Sequence, residues 1–228
     1  MIKPSNLTIV YVCHDTKSVN LALSNKNDAN IIFVGKGQVD ESIKENQKVI
    51  IARDLPNNIE DEKMLLTFTA WYAIIKNNLY TDSEFLCILE YDTSAHDFFY
   101  RFLFEAVIKN EHDVISCIPA SGFDFWLDVD KTILNNFMKY KNANNIDYDE
   151  HFKTNNWCAS TNHCIRRNIL NDFVDWYYPD CLTSIKSEHP AKFPWYHERI
   201  FFLYLLEKKI PNRRVNGLMH LHLNSHEF

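Results

Sequence analysis

Two acids one residue apart, Glu90 and Asp92, end the apolar run FLCILEYD, and a helical pattern follows. Carboxylates at the carboxyl end of a buried strand are well placed to hold a divalent cation or the polar part of a ligand. A solvated acidic turn leading into the next helix is the plain structural alternative. A second group lies in GLMHLHLNSHEF at 217 to 228, where His220 and His222 share one face if the segment is extended. Imidazole suits manganese or zinc, and it also fills core positions. A third is FPWYHERIFFLYLLEKK at 193 to 209, in which His197, Glu198 and Arg199 open an otherwise apolar helix. An acid there complements the helix dipole, or, beside a pocket, serves as a base. The fourth is a set of strand-end polar residues, His14 and Asp15, Lys36, and Arg53, which on one rim would hold a base, a ribose or phosphates.

These groups need a scaffold, and the apolar pattern supplies one. LTIVYVCHD, NIIFVGKG, KVIIARDL, EFLCILEYD and DVISCIP are short, nearly continuous runs of Val, Ile and Leu, the mark of strands covered on both faces. Helical spacing appears between them at 60 to 78, which begins with acids and places Leu65, Phe68, Trp71, Tyr72 and Ile75 on one side, and again at 96 to 109. This alternation predicts a largely parallel sheet with helices on its faces. The second half predicts helices at 129 to 142, from Asn168 to about Trp176, and from about Trp195 to Lys209, with a strand in WCASTNHCIRR.

The chain has 228 residues, 46% of them hydrophobic, so one domain with a sizeable core is expected. Its net charge of -6, with no basic face in view, argues against a general nucleic-acid binder. No apolar run approaches the ~20 residues of a spanning helix, and the amino terminus lacks a signal-peptide pattern, so a cytoplasmic protein is expected. The cysteines Cys13, Cys87 and Cys117 lie in strand-like runs as small hydrophobes, without zinc spacing. Four glycines exclude a Gly-rich phosphate loop, and GKG at 35 to 37 fits neither a Walker loop nor a dinucleotide fingerprint. No G-x-S-x-G elbow supports nucleophilic hydrolysis.

Taken together, these residues resemble the GT-A class of nucleotide-sugar-dependent glycosyltransferases, particularly small ones from large DNA viruses and bacterial surface-glycan clusters. The resemblance implies an α/β fold of GT-A, nucleotide-diphospho-sugar transferase type: a Rossmann-like, mainly parallel central sheet flanked by helices. It implies one domain over 1–228, with a nucleotide-sugar-binding part at about 1–120 and an acceptor-binding part at about 121–228. Its D-x-D motif, which binds manganese (or magnesium) and the ribose-diphosphate, matches Glu90-Tyr91-Asp92, with Glu in place of the first Asp. Asp92 is then the metal ligand, with Glu90 on metal or ribose, and His220 or His222 matches the late histidine that closes such a metal site. His14, Asp15, Lys36, Arg53 and Tyr91 fall to the donor nucleotide. Glu198 matches the acid of an acceptor-facing "ER" helix and is the first choice of base for an inverting reaction, with Asp124 in reserve.

Abundant aromatics in loop-like segments, among them Phe123, Phe125, Trp126, Trp157 and Trp195, suit stacking on a sugar ring as well as core filling. The implied partners are a nucleotide-sugar donor, UDP-sugar favoured, and a glycan acceptor. Two rivals remain open at this level. One is a metal-dependent phosphohydrolase or nucleotidyltransferase; the other is a carbohydrate-binding module that keeps the fold without catalysis.

Overall fold

A computed structural model describes residues 2–25, 30–61, 65–117, 128–143, 161–186 and 193–220. Its frame is a seven-stranded sheet in the order β3-β2-β1-β4-β7-β6-β8. The strands are β1 (Leu7–Cys13), β2 (Asn30–Phe33), β3 (Val49–Ile51), β4 (Phe85–Glu90), β6 (Val114–Ser116), β7 (His163–Arg166) and β8 (Asn212–Arg214). β5 (Thr93–Ala95) and β9 (Leu218–His220) form a separate antiparallel ribbon. β7 alone runs against its neighbours, β4 on one side and β6 on the other. The largely parallel sheet expected from the alternating pattern is therefore present, with one reversed strand.

Side chains alternate across the sheet with the period of two that a pleated strand imposes. Along β4, Leu86 and Ile88 enter one core, while Phe85, Cys87 and Leu89 enter the other. The first core is covered by α3 (Leu66–Lys76), α5 (Asp128–Tyr140), α6 (Arg167–Tyr177) and α7 (Phe193–Glu207). It is strongly aromatic: Phe68 lies edge-on to Tyr177 at 4.8 Å between ring centroids, and Phe173 to Phe201 at 4.8 Å. The second core is covered by α1 (Thr16–Asn25), the short α2 (Glu41–Lys44) and α4 (Asp97–Lys109). Truncating a fully buried ring such as Phe68 to alanine would cost about 3–5 kcal/mol.

Several boundaries differ from the sequence expectation for physical reasons. The helix expected over 60–78 spans Leu66–Lys76, because Glu60 and Asp61 are engaged with the loop after β2 and do not form a first turn. α1 arises where no helix was expected; Asp15 starts it by accepting the Ser18 N–H at 2.6 Å, while the Ser18 hydroxyl donates to the Asp15 carbonyl at 2.7 Å. The buried Cys13, Cys87 and Cys117 behave as the small hydrophobes expected, and Cys164 and Cys181 are buried in the same way. Among the described residues no helix is long and apolar enough to cross a membrane.

Candidate active site

Register brings the polar strand ends together. Cys13 pairs with Phe33, Phe33 with Ile51, and Val12 with Glu90, so β1, β2, β3 and β4 finish at one level. His14, Gly35, Arg53 and Asp92 lie one or two residues beyond it. Because β7 is reversed, its start joins the same rim, and β8, parallel to β6, ends there at Arg214. This is the carboxyl edge at which open α/β sheets bind ligands.

The left part of the rim is tied loop to loop. The Arg53 guanidinium donates from Nη1 to the Gly37 carbonyl at 2.9 Å, and Lys36 pairs with Asp61 at 3.0 Å. Gly37 passes so close to β1 that a side chain there would bring Cβ within 3.2 Å of the His14 carbonyl oxygen. His14 in turn lies edge-on to Tyr91 at 4.9 Å and pairs with Asp15 at 3.8 Å. For Asp15, partial burial raises the carboxyl pKa, but bonds from Ser18 and the charges of His14 and Lys17 outweigh it and leave the group below its ordinary value. Burial, with the acids Asp92 and Asp15 nearby, pushes the Tyr91 phenol up to about 12, so it stays a neutral donor.

A carboxylate that sequence reasoning took for a helix-start acid belongs to this cluster. Glu60 is buried, and its Oε2 accepts the Gly35 N–H at 2.8 Å. Burial raises its pKa, against the lowering effects of that hydrogen bond and of the Arg53 and Lys36 cations. Only an apolar Ile before it and a polar loop around it mark Glu60 in the sequence, which is no signal of burial.

The right part of the rim holds the acids differently. Glu90 continues the alternation of Leu86 and Ile88 onto the aromatic face, where the Thr67 hydroxyl of α3 donates to its Oε1 at 3.4 Å. Its backbone N–H donates to Oδ1 of the fully buried Asn162 at 2.7 Å, which fixes the end of β4 to the start of β7. Thr67 and Asn162 lie outside the residues singled out from sequence, since neither type nor spacing distinguishes them. Glu198 lies on α7 beside Glu90. Burial first, and then repulsion from the Glu90 charge, raise its carboxyl pKa to about 8, with Arg199 pulling the other way. Behind it the aromatic face packs His197 at 5.8 Å from the Trp71 ring and His163 at 5.1 Å from Phe201.

Asp92 stands at the mouth of the rim, and its buried Oδ1 has no hydrogen-bond partner among the described residues. A buried carboxylate oxygen without a donor fits a cation, which satisfies it in place of an N–H or O–H. The ribbon then carries the carboxyl-terminal strand to this point: Thr93, next to Asp92, pairs with His220, and His96 N–H donates to the Gly217 carbonyl at 2.9 Å. Gly217 adopts φ +110°, a conformation other residues rarely take, and a Cβ there would stand 2.7 Å from the Phe98 ring. The backbone at His220 thus reaches the acidic motif through the extended LMH strand. Among the described residues no cluster of three or more His, Cys, Asp or Glu side chains has metal-ligating geometry. His222 and Asp124 lie outside the described residues, as do Phe123, Phe125, Trp126 and Trp157.

A groove of about 780 Å³ opens at the opposite end of the strands, lined in part by Asp82, Glu84, Arg166 and Arg167. Its cations are engaged internally: Arg166 binds Asp113, Glu84 and Asn110, and Arg167 binds the Ser83 and Leu79 carbonyls. The chemistry-bearing residues are on the other rim.

No family model matches the chain. A search of curated proteins also finds no match. Among solved structures the chain is similar to the apo structure of the bifunctional glycosyltransferase WbbM, with a TM-score of 0.62 and 13% identity over 95% of this chain. The chain spans 45% of that protein's length. What the two share is the fold, and the present chain has a glycosyltransferase-like Rossmann architecture.

Proposed function

We propose that this protein is a metal-dependent glycosyltransferase of GT-A type that moves a sugar from a nucleotide-diphosphate sugar, a UDP-sugar by preference, to a hydroxyl of a glycan acceptor. The observation that carries this reading is the convergence of Asp92, with its unpartnered buried oxygen, and Glu198, with its raised pKa, on one rim of a glycosyltransferase-like sheet. His14, Asp15, Lys36, Arg53 and Tyr91 bind and orient the donor nucleotide on the left of that rim. Asp92 would hold manganese or magnesium, joined by Glu90 and by His220 or His222 from the carboxyl-terminal segment. When bound there, such an ion would supply Lewis-acid neutralisation of the charge on a departing nucleoside diphosphate. Glu198 removes the proton of the acceptor hydroxyl as its oxygen attacks the anomeric carbon, which commits the reading to inversion, with Asp124 in reserve. The donor part is assigned to about 1–120 and the acceptor part to about 121–228. The free thiols fit a reducing, cytoplasmic setting.

Calorimetric titration with UDP, with and without manganese, tests the reading. Micromolar, manganese-dependent binding that falls by at least tenfold in Asp92→Ala is the expected result. Manganese-independent binding unchanged in Asp92→Ala would favour a non-catalytic sugar-binding module. Release of inorganic phosphate from a UDP-sugar, in place of intact UDP, would favour a phosphohydrolase.

A further inference from the structure

Glu90 belongs to the sheet on one side only. Toward β1 the ladder runs through Val12 and Glu90, and the next N–H, that of Tyr91, still donates to the Val12 carbonyl at 3.2 Å. Toward β7 the ladder stops two residues earlier, at Ile88 and His163. A buried strand end must still satisfy its peptide groups, and here side chains do so. The Glu90 N–H donates to Oδ1 of Asn162 at 2.7 Å, and the Glu90 carbonyl accepts the Thr93 hydroxyl at 2.7 Å. Asn162 is 0% exposed and Thr93 1%. Asn162 is itself pinned, because its carbonyl accepts the N–H of Cys117, just past β6, at 2.9 Å.

Between these two bonds lies the turn Tyr91 and Asp92. The Asn162 bond fixes where the chain leaves the sheet, and the Thr93 bond closes the turn three residues on. The place of Asp92, whose buried Oδ1 has no partner among the described residues, follows from both. The residue types fit the task. A leucine at 162 would leave the Glu90 N–H without this acceptor, and an aspartate would accept it while adding a negative charge next to the acidic motif. Asparagine accepts and stays neutral.

We infer that Asn162 and Thr93 are positioning residues: together they clamp the peptide unit of Glu90 so that the turn presents the Asp92 carboxylate to a divalent cation. The inference rests on the metal-dependent reading above and adds to it the two side chains that set the acidic motif. Neither is assigned a contact with nucleotide or sugar, and their effect passes through Asp92.

The test is calorimetric titration with UDP, in manganese and in chelator, of wild type, Asn162→Ala, Thr93→Val and the double variant Asn162→Ala with Asp92→Ala. Asn162→Ala is expected to weaken binding in manganese by about fivefold or more, and Thr93→Val by about threefold or more, with binding in chelator held within about twofold. Added to Asp92→Ala, Asn162→Ala is expected to change nothing further, since the group it positions is gone. General loosening would weaken binding in chelator and in the Asp92→Ala background as well. Thermal unfolding establishes that each variant is folded; if Asn162→Ala is not, Thr93→Val, which keeps shape and β-branching, decides. Folded variants that bind as wild type, or a loss of equal size in chelator or in the Asp92→Ala background, overturn the positioning role and leave the transferase reading standing. Wild type without manganese-dependent UDP binding overturns both.

Discussion

The two halves of the rim are built from the same kinds of residue and treat them in opposite ways. On the left, His14, Lys36 and Asp61 are half or more exposed, and Lys36 meets Asp61 across loops. On the right, Glu198 lies beside Glu90 on the aromatic face, where burial first and then the Glu90 charge raise its pKa to about 8. Exposed charges bind and release a charged ligand at modest energetic cost, whereas a carboxyl held near neutral pKa is suited to moving a proton. Glu60 is the exception on the left, a buried acid among exposed partners.

The largest effect that would break this contrast is at Glu198. Glu198→Gln is expected to lower kcat for sugar transfer by about 10²–10⁴-fold while the donor KM stays within a few fold. Loss of donor binding instead, with kcat intact, would move Glu198 to the recognising half. The pH profile sharpens the same point. A base with pKa about 8 is inactive while protonated, so wild-type kcat is expected to rise about tenfold per pH unit below that value and level above it, and the rise should be absent in Glu198→Gln. Smaller changes are expected on the left, where Arg53→Ala and Lys36→Ala should each weaken UDP binding by about three- to tenfold without altering the pH profile. The smallest is in stability. Native Glu198 keeps its proton up to about 8 while an unfolded Glu loses it near its ordinary value, so the native state holds more protons between the two and stability falls as pH rises through that window. Glu198→Gln should therefore melt about 2–5 °C above wild type at pH 9 and close to it at pH 5, as read by thermal unfolding.

Much of the frame is legible from local pattern. β1, β2, β3, β4 and β6 are near-continuous apolar runs, and α4 and α6 repeat at helical spacing because one face of each is buried. What pattern does not carry is direction and distance. Nothing in His163–Arg166 tells a parallel strand from a reversed one, since both are buried on two faces. β5, β8 and β9 are three residues each, too short to show a period. Glu90 and Asp92 stand out because they end an apolar strand, whereas Glu60 and Asn162 sit in polar surroundings and acquire their roles only through contacts made across the fold. The resemblance to a known class made Glu198 an acceptor-facing acid; the residues alone left it a helix-start acid, or a base if buried beside a pocket.

The β5–β9 ribbon joins the residue after Asp92 to a strand that emerges from the ribosome more than half the chain later. Two short strands hold poorly by themselves, so this pairing depends on a finished sheet beneath it and forms late, after the long-range loop between its partners has closed. By the same logic it is the contact that opens first under stress, before either core is disturbed. A growing chain can thus acquire its sheet and the loops after β1, β2 and β3 while the corner at Asp92 stays incomplete, and assembly of this rim ends in time, as well as in space, at Gly217.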